Sequence, residues 1–389
     1  MKKIVVMITL VLLASMIFSA CSQATTAPTD QPAPTTAVQP TTAVVEEVPA
    51  TTEALCKPEE IRFVNSMREI AQPYHAGLDK GGRLFVEWAG LDLDKQYVLQ
   101  LNQGDTDKQI SLMRTLVAEN PKCTIFNIEP NADVAALRMA DVAKETGTWI
   151  VTHWDTPEGV YPFNEGYDHW MAHVSVPSFE SGYTIAKALF EKMGGKGKIV
   201  ALEGLQSVMV AQLRYEGLQK ALEEYPEVEL LDHQTANWDR TQAFPIMQTW
   251  LTKYGADITG VWAANDDMGL GALEALREAG KAGEVPVAGI DGIPEAVQAV
   301  KDGEFVMTLS SDATYQGSIG LAMGYCALTG QISLPAEWTK DQRMFYLTPV
   351  AIESSNVDLY LADPNPDDYA DTWSCDSIWS RSLGPSYPQ

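Results

Sequence analysis

From about residue 61 the chain alternates short apolar runs with longer stretches whose apolar positions recur at three- and four-residue spacing. The short runs predict strands at 61–66, 96–101, 123–128, 148–152 and about 172–176, then a second series at 198–202, 227–232, 258–263, 285–290 and 305–310. The longer stretches predict helices at 105–118, 131–146, 179–193, 208–224, 241–254, 268–279 and 294–302. Strands alternating with helices imply parallel, doubly wound sheets. There are too many strands for one such sheet, so the fold class is α/β with two similar lobes, joined near Val176 and Pro177. Beyond about residue 340 the pattern becomes irregular, but Trp373 and Trp379 imply that this tail packs onto the body.

Two of the strands end in residues that point to a site. VWAANDDMGLGAL (261–273) is a strand that stops at Asn265 and runs into an amphipathic helix, and VPVAGIDG (285–292) stops at Asp291. Ligands of open parallel sheets sit beyond the carboxyl ends of the strands, which is where Asn265 and Asp291 fall. The plainer alternative is that Asn265 caps its helix and Asp291 stabilises a glycine turn.

The N-terminus bears on location. Lys2 and Lys3 precede an apolar stretch, residues 4–18, too short to span a bilayer comfortably, and Ser19-Ala20-Cys21 supplies small residues before a cysteine. This resembles a bacterial lipoprotein signal, residues 1–21, with Cys21 as the lipidated residue and Phe18 where Leu is usual. Ordinary secretory cleavage near Ala20 is the rival. Residues 22–55 are rich in Thr, Pro, Ala and Gln without apolar periodicity and are expected to form a flexible tether. With 27 basic against 52 acidic residues the chain carries −25, which argues against a nucleic-acid partner.

Export permits disulfides among the remaining cysteines. Cys56 precedes the first strand and Cys123 opens the third, so neighbouring strands would bring them together; this leaves Cys326 with Cys375, for which free buried thiols are the alternative. No cysteine spacing fits a metal or redox motif. His169 and His173 have the i, i+4 spacing of a helical metal pair, but their segment leads into a strand. GGKGK (194–198) follows a helix and precedes a strand, the reverse of a phosphate loop. No metal and no cofactor is expected.

Five segments, in order, carry a family resemblance: AQPYH (71–75), GKIVALEG (197–204), LRYEG (213–217), ANWDR (236–240), and ANDDMGLGA (264–272) with GIDG (289–292). Together they resemble the sugar-binding periplasmic proteins of the ribose-binding class, type 1, which feed ABC importers. The resemblance runs from about residue 61 to 350. It implies a first lobe of residues 57–176 with 312–340, a second of 177–311, and a crossing strand and tail, 341–389, with hinges near Val176, Ser311 and Asp341. Carried over position by position, it makes Gln72, Tyr74 and His75 contacts from the first lobe and Arg214, Trp238, Asn265 and Asp291 contacts from the second. The chain departs from the family at three places. THWD (152–155) stands where Asp-Arg is common, so that Trp154 would stack while Asp155 or His153 replaces the lost hydrogen bonds. Ser310, Ser311 and Asp312 occupy the region of a usual Gln, and His75 replaces an aromatic. Aromatic faces against sugar C–H groups, with planar polar side chains for the hydroxyls, suit a monosaccharide or polyol.

The resemblance implies a monomeric, lipid-anchored, extracytoplasmic solute receptor that closes on its ligand, delivers it to ABC permease subunits, and catalyses nothing itself. Two other readings use the same cleft. One is a sensory receptor coupled to a signalling partner. The other is a hydrolase using carboxylates among Asp155, Asp266, Asp267 and Asp291.

Overall fold

The computed structural model describes residues 53–154 and 156–382; the leader with Cys21, tether residues 22–52, and Asp155 lie outside the described residues. The first half runs β1 (Arg62–Met67), α1 (Pro73–Trp88), α2 (Leu93–Gln96), β2 (Tyr97–Leu101), α3 (Thr106–Val117), β3 (Thr124–Ile128), α4 (Asp133–Thr146), β4 (Trp149–His153) and β5 (Trp170–Ser175). The second runs α5 (Ser178–Lys192), β6 (Lys196–Glu203), α6 (Met209–Glu224), β7 (Glu227–Thr235), α7 (Arg240–Tyr254), β8 (Gly260–Ala263), α8 (Asp266–Glu278), β9 (Val287–Asp291), α9 (Pro294–Lys301) and β10 (Phe305–Ser310). The chain closes with α10 (Ala313–Leu328), α11 (Lys340–Arg343), β11 (Met344–Tyr346), β12 (Val350–Glu353) and α12 (Ala370–Trp373).

Among the described residues there are two six-stranded sheets, β11-β5-β4-β3-β1-β2 and β12-β10-β9-β8-β6-β7. Each half repeats one order, with its first strand between its second and third, and crevices at such reversals are where α/β sheets hold ligands. Pairing is parallel except at one edge, where β12 runs antiparallel to β10. Central strands such as β3, β4 and β9 are buried along their whole length, so they read as continuous apolar runs rather than alternating ones.

The sequence pattern predicts no helix at α1 or α10, yet these two form one of the closest helix pairs in the molecule. A Cβ on Gly81 would lie 1.8 Å from the Thr314 carbonyl oxygen, and one on Gly317 would lie 2.0 Å from that of Leu78. Glycine lets the backbones touch at the expense of helix propensity, which weakens a helical reading of α1, and α10 is buried around nearly its whole circumference, so it shows no amphipathic period. The second lobe repeats the device in α5 and α6, where Gly182 meets the Arg214 carbonyl. Asn65 ties the first pair to its sheet, donating to the Leu78 and Gly317 carbonyls at 2.9 and 3.1 Å, while Asn127 donates to Asn65 at 3.0 Å.

The chain passes between the sheets at β5–α5, at β10–α10 and between β11 and β12. The third passage falls at Leu347–Pro349 rather than near Asp341, because Met344–Tyr346 still pairs with β5 and Asp341 lies in α11. A further passage follows in the tail: Asp358 pairs with Lys301 of α9, and Asp363 lies 3.3 Å from Lys80 of α1. Trp373 is fully buried and donates to Ser318 of α10 at 2.8 Å. Both expected disulfides are formed, Cys56–Cys123 and Cys326–Cys375, with Cα separations of 5.9 and 5.6 Å, which removes the free-thiol alternative. Leu55, assigned to the tether, already belongs to the body, its N–H donating to the Leu328 carbonyl at 2.9 Å.

Candidate functional site

A cavity of about 520 Å³, mouth included, opens between the carboxyl ends of the two sheets. Its second-lobe wall consists of Val208, Val210, Arg214, Trp238, Asn265 and Asp291. Arg214, on the second turn of α6, is buried and donates from Nη1 to the Ala264 carbonyl at 2.6 Å. Asn265 is the N-cap of α8 and accepts from the Met268 N–H at 3.0 Å. The capping reading therefore holds, and the residue lines the cavity as well, since a cap uses the carbonyl oxygen and leaves the amide NH₂.

Asp291 has φ 135°, a region L-residues avoid, and its conformation is held by its neighbour Asp266. One oxygen of Asp266 accepts from the Gly292 and Ile293 N–H groups at 2.8 and 3.1 Å and from the Thr308 hydroxyl at 2.7 Å. Burial raises the pKa of both carboxyls, that of Asp266 to about 6 and that of Asp291 well above the usual range, although Arg214 opposes the second shift. Trp238 follows Asn237, and both are left-handed, with φ 65° and 53°. The indole lies flat on Gly204, where a Cβ would come within 2.0 Å of a ring carbon. A side chain there would displace the aromatic face from the cavity.

The first-lobe wall is Arg68, Gln72, Tyr74, His75, Glu129 and Trp154. Glu69 accepts from the Ala71 and Gln72 N–H groups and so closes the β1–α1 turn, after which Pro73 opens α1. Tyr74 follows and accepts from the Trp154 indole N–H at 2.6 Å. Trp154 is itself left-handed at φ 61°. Contacts join the walls: Gln72 donates to the Trp238 carbonyl at 2.7 Å, the Met209 N–H donates to Asp133 at 3.1 Å, and the Arg214 guanidinium lies 5.1 Å from the Trp154 ring and 5.5 Å from that of Trp238.

Of the residues expected at the site, Gln72, Tyr74, His75, Trp154, Arg214, Trp238, Asn265 and Asp291 are brought together, while Asp155 lies outside the described residues. Ser311 is not part of the cavity. It is buried in the β10–α10 passage, its N–H donating to the Asp291 carbonyl at 3.3 Å and its carbonyl accepting from Gln316 at 2.6 Å, so it serves the crossing rather than the wall. His153 is likewise buried behind the wall, bonded to Asn127, and burial lowers its pKa to about 4. Arg68 and Glu129 were missed by sequence reasoning. They directly follow β1 and β3, so the strand-end rule that finds Asn265 and Asp291 finds them too when applied to every strand.

Of the carboxylates named for the hydrolase reading, Asp291 lines the cavity and Asp155 lies outside the described residues, while the other two are engaged elsewhere. Asp266 is committed to the β9–α9 turn, and Asp267 pairs with Arg240 at 3.0 Å; neither lines the cavity. His173 lies on β5, 2.9 Å from the Thr152 hydroxyl, and His169 packs on Trp149. No helix among the described residues is long and apolar enough to cross a membrane.

The chain matches the periplasmic binding protein domain over residues 63–332 and belongs to that family, whose members act outside the cytoplasm. It is 43% identical over 141 residues to the xylitol-binding protein of Mycolicibacterium smegmatis, a match spanning 36% of this chain and 40% of that protein. It is 28% identical over 263 residues to the ribose import binding protein of Salmonella typhimurium, covering 67% of this chain and 83% of the relative. Among solved structures, a twin-arginine translocation pathway signal protein from Burkholderia phytofirmans superposes with a TM-score of 0.77 at 35% identity, over 84% of this chain and 99% of that one. An ABC transporter periplasmic solute binding protein from Actinobacillus succinogenes with bound D-allose gives 0.66 at 26% identity, over 77% and 100%. These matched proteins are described as binding or signal proteins rather than enzymes.

Proposed function

We propose that this protein is an extracytoplasmic receptor, anchored through lipid on Cys21, that captures a monosaccharide or related polyol between its lobes and delivers it to an ABC-type permease. The observation that carries this reading is the composition of the cavity. Two indoles and a phenol, from Trp154, Trp238 and Tyr74, lie among the polar groups of Arg214, Asn265, Asp291 and Gln72. Flat apolar faces cover ring C–H groups, and buried polar groups that lack a partner without ligand penalise a deoxygenated analogue. The relatives named for xylitol and ribose and the neighbour holding D-allose bind ligands of this chemistry. Hydrogen bonds between the walls, Gln72 to Trp238 and Met209 to Asp133, are the contacts that would form on closure and break on release.

The test is a thermal-shift screen of the protein lacking residues 1–21 against xylitol, D-ribose, D-allose and myo-inositol. A saturable rise of several degrees with at least one of them is expected, because a ligand at about 100 times its Kd adds about 2.7 kcal/mol to stability. Trp238→Ala and Asp291→Ala should lose that rise. A folded protein that responds to none of the four would contradict the proposal.

A further inference from the structure

His75 lines the cavity, but its ring has nothing left to offer a ligand. Nδ1 lies 3.1 Å from Glu69 Oε1 and Nε2 lies 2.7 Å from Glu129 Oε2, and the side chain is 3% exposed. Nδ1 is hydrogen-bonded to Glu69, and Nε2 faces Glu129 as an ion pair whose alignment is not that of a hydrogen bond. An imidazolium between the two carboxylates satisfies both contacts by charge. Glu129 is in the opposite position: its Oε2 pairs with His75 by charge but has no hydrogen-bond partner among the described residues, and the carboxyl group is part of the cavity wall. Arg68, on the same wall, has a buried Nε with no hydrogen-bond partner among the described residues.

We propose that Glu129 is the first lobe's acceptor for a ligand hydroxyl, and that His75 is a positioning residue, which together with Glu69 holds the Glu129 carboxylate in place instead of touching the ligand. The proposal rests on reading the cleft as a polyol site, and it narrows that reading. The ligand must present a hydroxyl to Glu129 and a neighbouring oxygen to Arg68, a vicinal diol, on the wall opposite Asp291.

The charged and titratable groups around His75 come from several elements: Glu69 in the β1–α1 turn, Tyr74 beside it on α1, Glu129 after β3, and Asp291 across the cleft. Arg68 acts on it through Glu129. Burial works against the imidazolium, but Glu129 and then Glu69 outweigh it and raise the pKa to about 9. Burial likewise works against the Glu129 carboxylate, and His75 overcomes it, so the pKa is lowered. His153, neutral behind Asn127, supplies no competing charge at neutral pH.

Calorimetry from pH 6 to 10, with whichever of xylitol, D-ribose, D-allose or myo-inositol binds, tests the assignment. For the unaltered protein, affinity should fall about ten-fold between pH 8 and pH 10 as His75 loses its proton. His75→Gln should bind about ten-fold more weakly at pH 7 and show no such fall, because Gln does not titrate. Glu129→Gln should cost about a hundred-fold at every pH. Nitrogen-15 spectra of the ligand-free protein, with the His75 ring identified by its absence in His75→Gln, should show an imidazolium at pH 8. A His75 ring that titrates near 6.5 overturns the proposal without reference to any ligand. Unchanged affinity in Glu129→Gln, or an alkaline fall that persists in His75→Gln, overturns it while leaving the polyol reading intact; no binding of any of the four by the unaltered protein overturns both.

Discussion

In the second lobe, Asp266 accepts from two backbone N–H groups and a hydroxyl, Asn265 caps its helix, and Arg214 donates to a carbonyl. In the first lobe, the corresponding wall is held by charge against charge, with His75 between Glu69 and Glu129. The covalent links differ in the same way: Cys56–Cys123 lies within the first lobe and Cys326–Cys375 ties the tail to α10, while the second lobe has no cysteine between residues 177 and 311. Two lobes with the same strand order thus stabilise their halves of one cleft by different means, and conditions that weaken one wall should spare the other.

Reduction of the disulfides should separate the lobes most. A bridge closing 49 or 67 residues contributes about 2–4 kcal/mol, chiefly by restricting the unfolded chain. Hydrogen exchange of the protein in reductant should therefore show loss of protection in α1, α10 and their sheet before α5, α6 and theirs. Equal loss in both halves would break the comparison.

Asp266→Ala should do the converse. It removes the acceptor of the Ile293 N–H and the Thr308 hydroxyl, while the Gly292 N–H keeps the Thr308 oxygen at 3.0 Å, and should cost about 3 kcal/mol in urea unfolding, with loss of sugar binding as Asp291 leaves its strained conformation. Asp266→Asn, which keeps one acceptor oxygen, should cost less.

The third effect depends on pH. The pKa of His75 is raised on folding from 6.5 to about 9, so its contribution is complete below pH 6.5 and lost as pH rises through 9. It amounts to about 3 kcal/mol at most. The carboxyl groups of Asp266 and Asp291 are also raised, so the stability linked to them is complete below pH 3.8 and is lost as pH rises, through about 6 for Asp266. Asp266 in the second lobe should therefore respond between pH 3.8 and about 6, and His75 in the first between pH 6.5 and about 9. Urea unfolding of the unaltered protein and of His75→Gln should differ most at pH 6 and converge by pH 10, as the unaltered protein loses the His75 contribution.

The smallest effect concerns the contact between the lobes. Asp133→Ala removes the acceptor of the Met209 N–H and should weaken ligand binding about two- to five-fold by calorimetry, with little change in unfolding.

The second-lobe wall was the more legible in the sequence. Arg214 lies within a predicted helix, and one strand-end rule locates both Asn265 and Asp291. The first-lobe wall was harder, because α1 carries Gly77, Gly81 and Gly82 for its contacts, and glycines weaken a helical reading even where the helix has an apolar face. Without that helix, His75 reads as a ligand contact; its partners, one in the preceding turn and the other 54 residues away after β3, become neighbours only in three dimensions. Ser311 was misplaced for a related reason. Near a crossing, one residue separates the cavity wall from the layer behind it, and spacing along the chain does not distinguish the two. The tail, whose passage between the lobes depends on Lys80, Lys301 and a disulfide, has no periodicity to read.

The central claim is that one ligand is held by polar groups of both walls. The most direct measurement is calorimetric titration of the unaltered protein, Glu129→Gln and Arg214→Ala with the strongest binder among xylitol, D-ribose, D-allose and myo-inositol. The account predicts one site per chain and a loss of about a hundred-fold or more in each variant. Full affinity in either variant, with the protein folded, would contradict it.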